Sequence, residues 1–248
     1  MKCCAVIPVY NHGDAVGAVI AALRGHALPV ILVDDGSESS CAAVLDGWAA
    51  GDPEHIAVVR LNENQGKGGA MMAGLSEAHR RGYSHALQID ADGQHDAGDI
   101  AAFIAASQAQ PTALICGCPV YDESVPKARR YCRYLTHVWV WINTLSFAIR
   151  DSMCGFRIYP LAPTVALIDA RQIGKRMDFD IEILVRLFWR DMQIVNMPTR
   201  VHYPTDGISH FRAWRDNVLI SRMHARLFFG MLLRSPLLLA RKLARSVA

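Results

Sequence analysis

The sequence has no CxxC pair, no long apolar run and no N-terminal signal pattern. Its seven cysteines are an odd number, which argues against a disulfide framework and for reduced thiols that pack in a cytosolic protein. A membrane-spanning helix needs roughly 18 consecutive apolar residues. The nearest candidates, VWVWINTLSFAI and LFFGMLLRSPLLLA, are interrupted by polar residues or a proline. We therefore expect a cytosolic chain without a membrane-spanning segment.

Acidic residues are absent from Asn217 to the C-terminus, although the net charge of the whole chain is only +3. The same stretch contains the basic residues Arg222, Arg226, Arg234, Arg241, Lys242 and Arg245. This distribution predicts an anionic partner surface, either a membrane or a nucleic acid.

Short Val- and Ile-rich runs alternate with helical patterns in the first half. Hydrophobic residues make up 52% of the 248 residues, enough for one large α/β domain. The predicted strands are AVIPV, VILVDD, IAVVRL, HALQID and ALICG, and the predicted helices are DAVGAVIAALRG, SCAAVLDGWAA, KGGAMMAGLSEAHRRG and DIAAFIAASQA. Such alternation predicts βαβ units and a mostly parallel sheet.

The pattern changes after Pro119. Residues 127–149 are typical of one long helix, GFRIYP of a short strand, DFDIEILVRLFWRD of an amphipathic helix and QIVNMPTRVHY of a strand. From Phe211 the chain is predicted to be helical, and Pro236 is expected to bend or restart that helix.

Three carboxylates, Asp90, Asp92 and Asp96, directly follow the predicted strand HALQI. Ligands of open parallel sheets bind beyond the carboxyl ends of the strands, so acids at this position are candidate site residues. A plain turn is one alternative, because Asp commonly forms turns. An EF-hand loop is excluded, because His95 and Ala101 stand where it needs Gly and Glu.

The functional interpretation of this loop is a metal site. Asp90 and Asp92 are expected to project to one side, and Asp92 with Gln94 would bind Mg²⁺ or Mn²⁺ together with diphosphate oxygens.

Two more segments have the pattern of nucleotide sites. In VDDGS, a turn before a Ser-capped helix explains the last two residues, but not the adjacent Asp34 and Asp35, which could accept hydrogen bonds from a ribose or a base. NENQGKGGAMMAGL is a Gly-rich turn that opens a helix and could offer backbone N–H groups to an anion. It is neither a Walker motif nor GxGxxG. Lys67 could contact phosphate, order the loop or be solvated.

VIPVYN, VDDGS, NQGKGGAMMAGL and DADGQ occur in that order. Together they resemble the family 2 glycosyltransferases, which have the GT-A fold, and within them the dolichyl-phosphate mannose synthase and polyprenyl-phosphate glycosyltransferase branch. The similarity is dense over residues 1–118 and continues to about 212. It implies a GT-A catalytic domain over residues 1–212, with a mostly parallel sheet flanked by helices. A basic amphipathic helical segment at the membrane interface would follow over 213–248.

The resemblance implies a nucleotide-sugar site and a metal, Mg²⁺ or Mn²⁺, bound by Asp90, Asp92 and Gln94. The expected donor-binding residues are Pro8, Tyr10, Asn11, Val33, Asp34, Asp35, Gly66, Lys67, Asp90, Ala91, Arg157, Ser209 and His210. Two departures leave the donor open. His12 stands where the mannose synthases have an acid, and His210 stands where their late R-x-x-G-x-S-K segment has Lys.

On the acceptor side, DSMCGFRIYP resembles the D-x-x-x-G-F-R segment of the family. It points to Asp151, Gly155 and Phe156. The helix that begins at 127 carries Arg129, Arg130 and Arg133 ahead of two tryptophans. It is either an ordinary amphipathic helix or an interfacial one, with its arginines at lipid headgroups or at an acceptor phosphate.

The resemblance implies single displacement with inversion, and charge on the leaving diphosphate would be stabilised by the cation at Asp92. Asp180 and Glu182 lie where relatives with hydroxyl acceptors have a base, but helix-start acids are the alternative. We therefore expect a metal-dependent transferase at the cytoplasmic membrane surface that uses a lipid or polyprenyl-phosphate acceptor and no nucleic acid. A nucleotidyltransferase and a non-catalytic relative remain the alternatives.

Overall fold

Seven strands form one mixed sheet in the order β3-β2-β1-β4-β6-β5-β7. The computed structural model describes residues 1–120, 127–201 and 213–247, without the side chains of 127–132, 213 and 245–247. The strands are β1 (Cys3–Val9), β2 (Val30–Asp34), β3 (Ile56–Arg60), β4 (His85–Gln88), β5 (Leu114–Val120), β6 (Arg157–Pro160) and β7 (Ile194–Arg200).

Helices cover both faces of this sheet. They are α1 (Gly13–Arg24), α2 (Ser39–Gly51), α3 (Lys67–Arg80), α4 (Ile100–Ala109), α5 (Lys127–Thr144), α6 (Leu161–Ala170), α7 (Phe179–Trp189) and α8 (Ala213–Val247). Each strand and helix predicted from the sequence is confirmed in type. Helix α6 was not predicted, and α5 ends at Thr144, five residues before the expected end.

Strand direction decides which segments meet at one edge. Strands β1 to β4 are mutually parallel, whereas β6 runs antiparallel to both β4 and β5. The start of β6 therefore lies at the same edge as the ends of β1, β2 and β4. Residues just before Arg157 consequently lie beside the acidic loop that follows β4.

Successive strand residues point to opposite faces, as the pleat requires. On β1 and β2, Val6 and Val33 pack on the face covered by α3 and α7. Ile7 and Leu32 pack on the other face. Two apolar layers thus hold the sheet rigidly, and the polar residues at its carboxyl edge sit on a fixed frame.

Helix α8 continues through Pro236, so the helix does not restart there, and the predicted bend stays a prediction. Proline removes the N–H that would bind the carbonyl four residues earlier, which is that of Leu232. The Ser235 hydroxyl donates a hydrogen bond to this carbonyl at 2.9 Å, which satisfies it. Among the described residues, no helix is both long enough and apolar enough to cross a membrane.

Candidate active site

Lys67, at the start of α3, is the centre of a charged cluster at the carboxyl edge of the sheet. Its ammonium group lies 2.8 Å and 2.9 Å from the two oxygens of Asp90 and 3.1 Å from Asp180. Burial opposes the charge of Asp90, but Lys67 and His95 outweigh it and hold the pKa of Asp90 well below its usual value. Burial likewise opposes the charge of Lys67, and the two aspartates raise its pKa. Asp90 and Lys67 are therefore both ionised at neutral pH.

A chain of buried hydrogen bonds from β4 and β6 supports this cluster. The Gln88 amide donates to Asp180 at 3.0 Å and accepts from the Tyr159 hydroxyl at 2.9 Å. The Arg157 guanidinium donates to the Asp180 carbonyl at 2.7 Å and to the Ser152 carbonyl at 2.8 Å. Buried hydrogen-bonded groups stiffen a site, although the Nε atom of Arg157 makes no hydrogen bond with any residue that the structure describes. Asp180 is therefore held from both sides.

Asp92, two residues beyond Asp90, has a different environment. One of its carboxylate oxygens accepts a hydrogen bond from the backbone N–H of Gln94 at 3.1 Å. Burial and the neighbouring Asp90 both raise the pKa of Asp92. A carboxylate beside a second negative charge gains from a cation, and carboxylate and amide oxygens are ligands that Mg²⁺ and Mn²⁺ accept.

The side chains at this site could supply only some of the ligands that a divalent ion needs. Among the described residues, no three His, Cys, Asp or Glu side chains are grouped closely enough to hold a metal by themselves. Asp90 is already neutralised by Lys67, although its Oδ1 atom is buried and makes no hydrogen bond of good geometry. Asp92 and Gln94 are thus the residues that fit an ion whose shell is completed by substrate oxygens.

The two acids of VDDGS hold loops. Asp35 accepts hydrogen bonds from the backbone N–H groups of Gln65 and Gly66 at 2.7 Å and 2.8 Å. Asp34 accepts from the Ser37 N–H and from Arg60, both at 2.9 Å. The Gly-rich turn is therefore less open to an anion than its sequence indicates, because Asp35 occupies two of its N–H groups.

Asn11 joins the loops after β1 and β2. It adopts a φ of +56°, a left-handed conformation that Asn tolerates well. Its side-chain oxygen accepts from the Glu38 N–H at 2.8 Å, and its own N–H donates to the Ser37 hydroxyl at 3.1 Å. Pro8 and Tyr10 lie half-buried beside it at the end of β1. The first predicted motif thus reaches the same edge as the acidic loop.

The predicted acceptor segment lies against the charged cluster. A Cβ added at Gly155 would come within 2.7 Å of both the Asp90 carboxylate and the Lys67 ammonium, so a side chain there would displace this ion pair. Asp151 is paired with Arg133 through two contacts of 2.7 Å, and His137 lies 3.3 Å away. Burial opposes the ionisation of Asp151, but these two partners lower its pKa.

Five of the predicted site residues have buried side chains, and their contacts with substrate stay a prediction. Glu182 is fully buried and is bound by Gly174 and two arginines. The other four side chains pack inside the domain: those of Val33, Ala91, Phe156 and Arg157. The physical reason is the alternation of strand residues for Val33 and Arg157, and packing between His95 and Phe103 for Phe156.

Some predicted residues lie beyond what the structure describes. Ser209 and His210 are outside the described residues, and so are the side chains of Arg129 and Arg130. Sequence reasoning missed the loop between α6 and α7, over residues 171–178, which lies on the Gly-rich turn. Its Lys175 carbonyl accepts from the Gly69 N–H at 2.9 Å. A short run of basic residues around a glycine was its only signal.

Residues 4–171 match Glycosyl transferase family 2. The chain belongs to this family. The family also decides between the enzyme classes left open by the sequence, and the protein is a glycosyltransferase.

Individual relatives of the family are only moderately similar. Polyprenol monophosphomannose synthase of Mycolicibacterium smegmatis is 29% identical over 208 residues, which cover 78% of this chain and 74% of the relative. Dolichyl-phosphate beta-glucosyltransferase of Dictyostelium discoideum is 26% identical over 165 residues, 62% of this chain. The match spans about half of that relative, 49% of its length.

The fold is GT-A, as solved family structures show. The mannosyltransferase PcManGT of Pyrobaculum calidifontis, in complex with GDP-Man and Mn²⁺, superposes with a TM-score of 0.58. It is 16% identical, and the comparison covers 94% of this chain and 64% of that one. At this identity the likeness concerns the fold alone.

Proposed function

We propose that this glycosyltransferase moves a sugar from a nucleotide-diphosphate sugar to a lipid-linked phosphate, such as a polyprenyl phosphate, at a membrane surface. The observation that carries the proposal is the carboxyl edge of β4. There Asp90, which is paired with Lys67, and Asp92, which forms no ion pair within the described part of the chain, lie next to the Gly-rich turn and the start of β6.

The donor would lie across the ends of β1, β2 and β4. Tyr10 and Asn11 at the end of β1 form one side, where a nucleoside can pack. Asp92 and Gln94 would hold Mg²⁺ or Mn²⁺ against the diphosphate. Such a cation supplies positive charge to the leaving diphosphate. Contacts from Ser209 and His210 stay a prediction.

The two candidate bases are already bound to other side chains, and this favours a phosphate acceptor over a hydroxyl acceptor. Asp180 is shared between Lys67 and Gln88, and Glu182 is bound by two arginines. A hydroxyl acceptor needs a base to take its proton, whereas a phosphate is already ionised. The relatives support this reading, because their names include polyprenol monophosphomannose synthase and dolichyl-phosphate beta-glucosyltransferase.

The reaction would then be one displacement with inversion. An acceptor phosphate oxygen forms a bond to the anomeric carbon on the face opposite the leaving group. The bond from that carbon to the diphosphate breaks, and its electron pair leaves with the nucleoside diphosphate. The role of Lys67 is to keep Asp90 ionised and fixed in place, which holds the acidic loop and its Asp92 at the edge of the sheet.

Helix α8 would place this site at the cytoplasmic face of a membrane. Its exposed large side chains recur at helical spacing, at Phe229, Leu232, Leu233, Leu237 and Leu243. The helix has no acid after its first turn. Ring contacts from Trp139 through Phe228 to Phe229 connect this stripe to α5. Exposed leucines flanked by arginines fit an anionic lipid surface.

The direct test is a transfer assay with labelled UDP-, GDP- and dTDP-sugars, Mn²⁺ and undecaprenyl phosphate in detergent. We expect label from one donor to enter the organic phase. Undecaprenol, which lacks the phosphate, should accept none. Transfer to undecaprenol but not to its phosphate would refute the acceptor proposal.

A further inference from the structure

Glu182, once a candidate base, binds groups from three different parts of the chain. Its side chain is fully buried. One carboxylate oxygen accepts from the Arg186 guanidinium at 2.7 Å. The other accepts from the Gly174 N–H at 2.9 Å and from the Arg226 guanidinium at 2.5 Å. Gly174 belongs to the loop before α7, and Arg226 belongs to α8. One carboxylate therefore ties α8 to that loop.

This loop, residues 171–178, is seated on the Gly-rich turn, and we call it the cover loop. Besides the bond between the Lys175 carbonyl and the Gly69 N–H, the Lys175 ammonium donates to the Gln65 amide oxygen at 2.8 Å. A Cβ on Gly66 would lie 2.6 Å from the Lys175 carbonyl, so the main chains of the turn and of the cover loop are in direct contact. A shift of the cover loop must therefore displace the turn.

The Gly-rich turn also fixes the position of the charged cluster around Lys67. Lys67 directly follows it and pairs with Asp90 and Asp180. Asp180 and Glu182 are two residues apart in the first turn of α7. The contacts of α8 with Glu182 thus reach the acidic loop by two routes, through the cover loop and through α7.

We propose that Glu182 is a positioning residue for donor binding, which acts with Arg226 to hold the cover loop against the Gly-rich turn. The attachment of α8 then sets the affinity for the nucleotide sugar. This inference rests on the proposed function, because it takes the carboxyl edge as the donor site. It assigns no contact between Glu182 and the substrate.

Arg226 is the better residue to change. Its side chain is 53% exposed, whereas that of Glu182 is not exposed at all. Removing Arg226 leaves the Glu182 charge paired with Arg186, so the variant avoids an unpaired buried charge and should fold. Arg222, one turn earlier on α8 and exposed, provides a matched control.

The experiment measures binding of UDP, GDP and dTDP, each with Mn²⁺, by calorimetry to the full chain without lipid. Each protein is measured below the temperature at which it begins to unfold. We expect Arg226→Ala to weaken binding roughly three- to thirtyfold, the range typical of residues that act through others. Arg226→Lys should recover most of the affinity, and Arg222→Ala should match the unchanged protein. In the transfer assay, Arg226→Ala should raise KM more than it lowers kcat.

The outcomes separate this inference from the proposed function. If the unchanged protein binds none of the three nucleotides, the proposed donor site is wrong, and the inference is rejected with it. If the unchanged protein binds one of them and Arg226→Ala binds it equally well, the donor site stands and the inference is overturned. Equal weakening by Arg226→Ala and Arg222→Ala would also overturn it, because general charge would then explain the effect.

Discussion

The Lys67 ammonium lies 3.1 Å from the carboxylate of Asp180, so the first residue of α3 is bound to the first turn of α7. The same ammonium contacts Asp90 at 2.8 Å. One cation therefore joins two helices to the loop after β4. Elements that are far apart in sequence are fixed together at the edge where the donor is proposed to bind.

Replacing Lys67 by Met should damage both stability and function. It leaves the buried Asp180 and the partly exposed Asp90 as neighbouring carboxylates without their cation, and breaking such a pair costs at most the roughly 3–5 kcal/mol of a fully buried one. The free energy of unfolding, measured with urea, should fall by up to that amount, and sugar transfer should be lost. Lys242→Met, at an exposed site on α8, should leave the free energy of unfolding unchanged. An unaltered urea midpoint in Lys67→Met would show that the cluster is not a stabilising one.

Asp92 and Asp96 should respond differently to replacement by Asn. Asp92→Asn removes the charge that would hold Mn²⁺, so Mn²⁺ should no longer strengthen UDP or GDP binding. Asp96 accepts a hydrogen bond from the Gly98 N–H at 2.8 Å, which Asn can also accept. Asp96→Asn should therefore keep the metal dependence. Calorimetric titrations with and without EDTA distinguish the two, and equal metal dependence in both variants would contradict the role of Asp92.

Gly66 should not tolerate a side chain. Its φ is +89°, and an added Cβ would meet the Lys175 carbonyl at 2.6 Å. Gly66→Ala should cost roughly 2 kcal/mol or more in the free energy of unfolding. Gly47 lies within α2 with no atom near its Cβ position, so Gly47→Ala should stabilise the protein by about 0.5–1 kcal/mol. Urea unfolding of both variants tests this contrast, which a similar effect of the two alanines would disprove.

His224 should make the protein sensitive to mild acid. Burial against α5 lowers the pKa of this histidine to about 4, compared with 6.5 in the unfolded chain. The Asn143 amide lies 3.2 Å from one of its ring nitrogens. The unfolded state therefore binds more protons than the folded state between these two pKa values. The contribution of His224 to stability is complete above pH 6.5 and declines as the pH falls toward 4.

The size of this effect follows from the shift. A difference between 6.5 and about 4 corresponds to roughly 3 kcal/mol once both states are protonated. Urea midpoints of the unchanged protein and of His224→Gln, measured from pH 7 to pH 4, should converge or cross as the pH falls. Parallel curves would mean that the histidine titrates normally in the folded protein.

The exposed stripe of α8 should control attachment to lipid vesicles. Leu233→Glu places a charge at a side chain that is 83% exposed, so folding should be preserved. Sedimentation with vesicles containing phosphatidylglycerol should decrease strongly. Ser221→Glu adds the same charge elsewhere on the exposed surface of α8 and should have a smaller effect. If both variants sediment like the unchanged protein, the stripe does not bind lipid.

The strand pattern and the four motifs were sufficient to predict the sheet, the GT-A fold and the family. The reason is physical. Buried strands need runs of Val and Ile, and the polar residues are left for the loops at the ends of those strands. Side-chain direction was less predictable. Arg157 and Glu182 look like site residues in a motif, yet their charges are neutralised by partners from α7 and α8 that lie far away in sequence.

The continuity of α8 also could not be predicted from the local sequence. Pro236 predicts a bend or a restart, and only the position of the Ser235 hydroxyl shows why the helix does not restart. The cover loop lacked any periodic signal, since its contacts with Gln65 and Gly69 are set by tertiary packing.

The reversed direction of β6 separates two tasks along the chain. Most residues of the proposed donor site lie at the ends of β1, β2 and β4, within the first hundred residues, whereas Asp151 and Gly155 arrive at the same edge from the opposite direction. A chimaera that exchanges only residues 151–156 with a relative could thus alter acceptor choice while the nucleotide requirement is inherited unchanged. Evolution has the same freedom, provided that position 155 remains glycine.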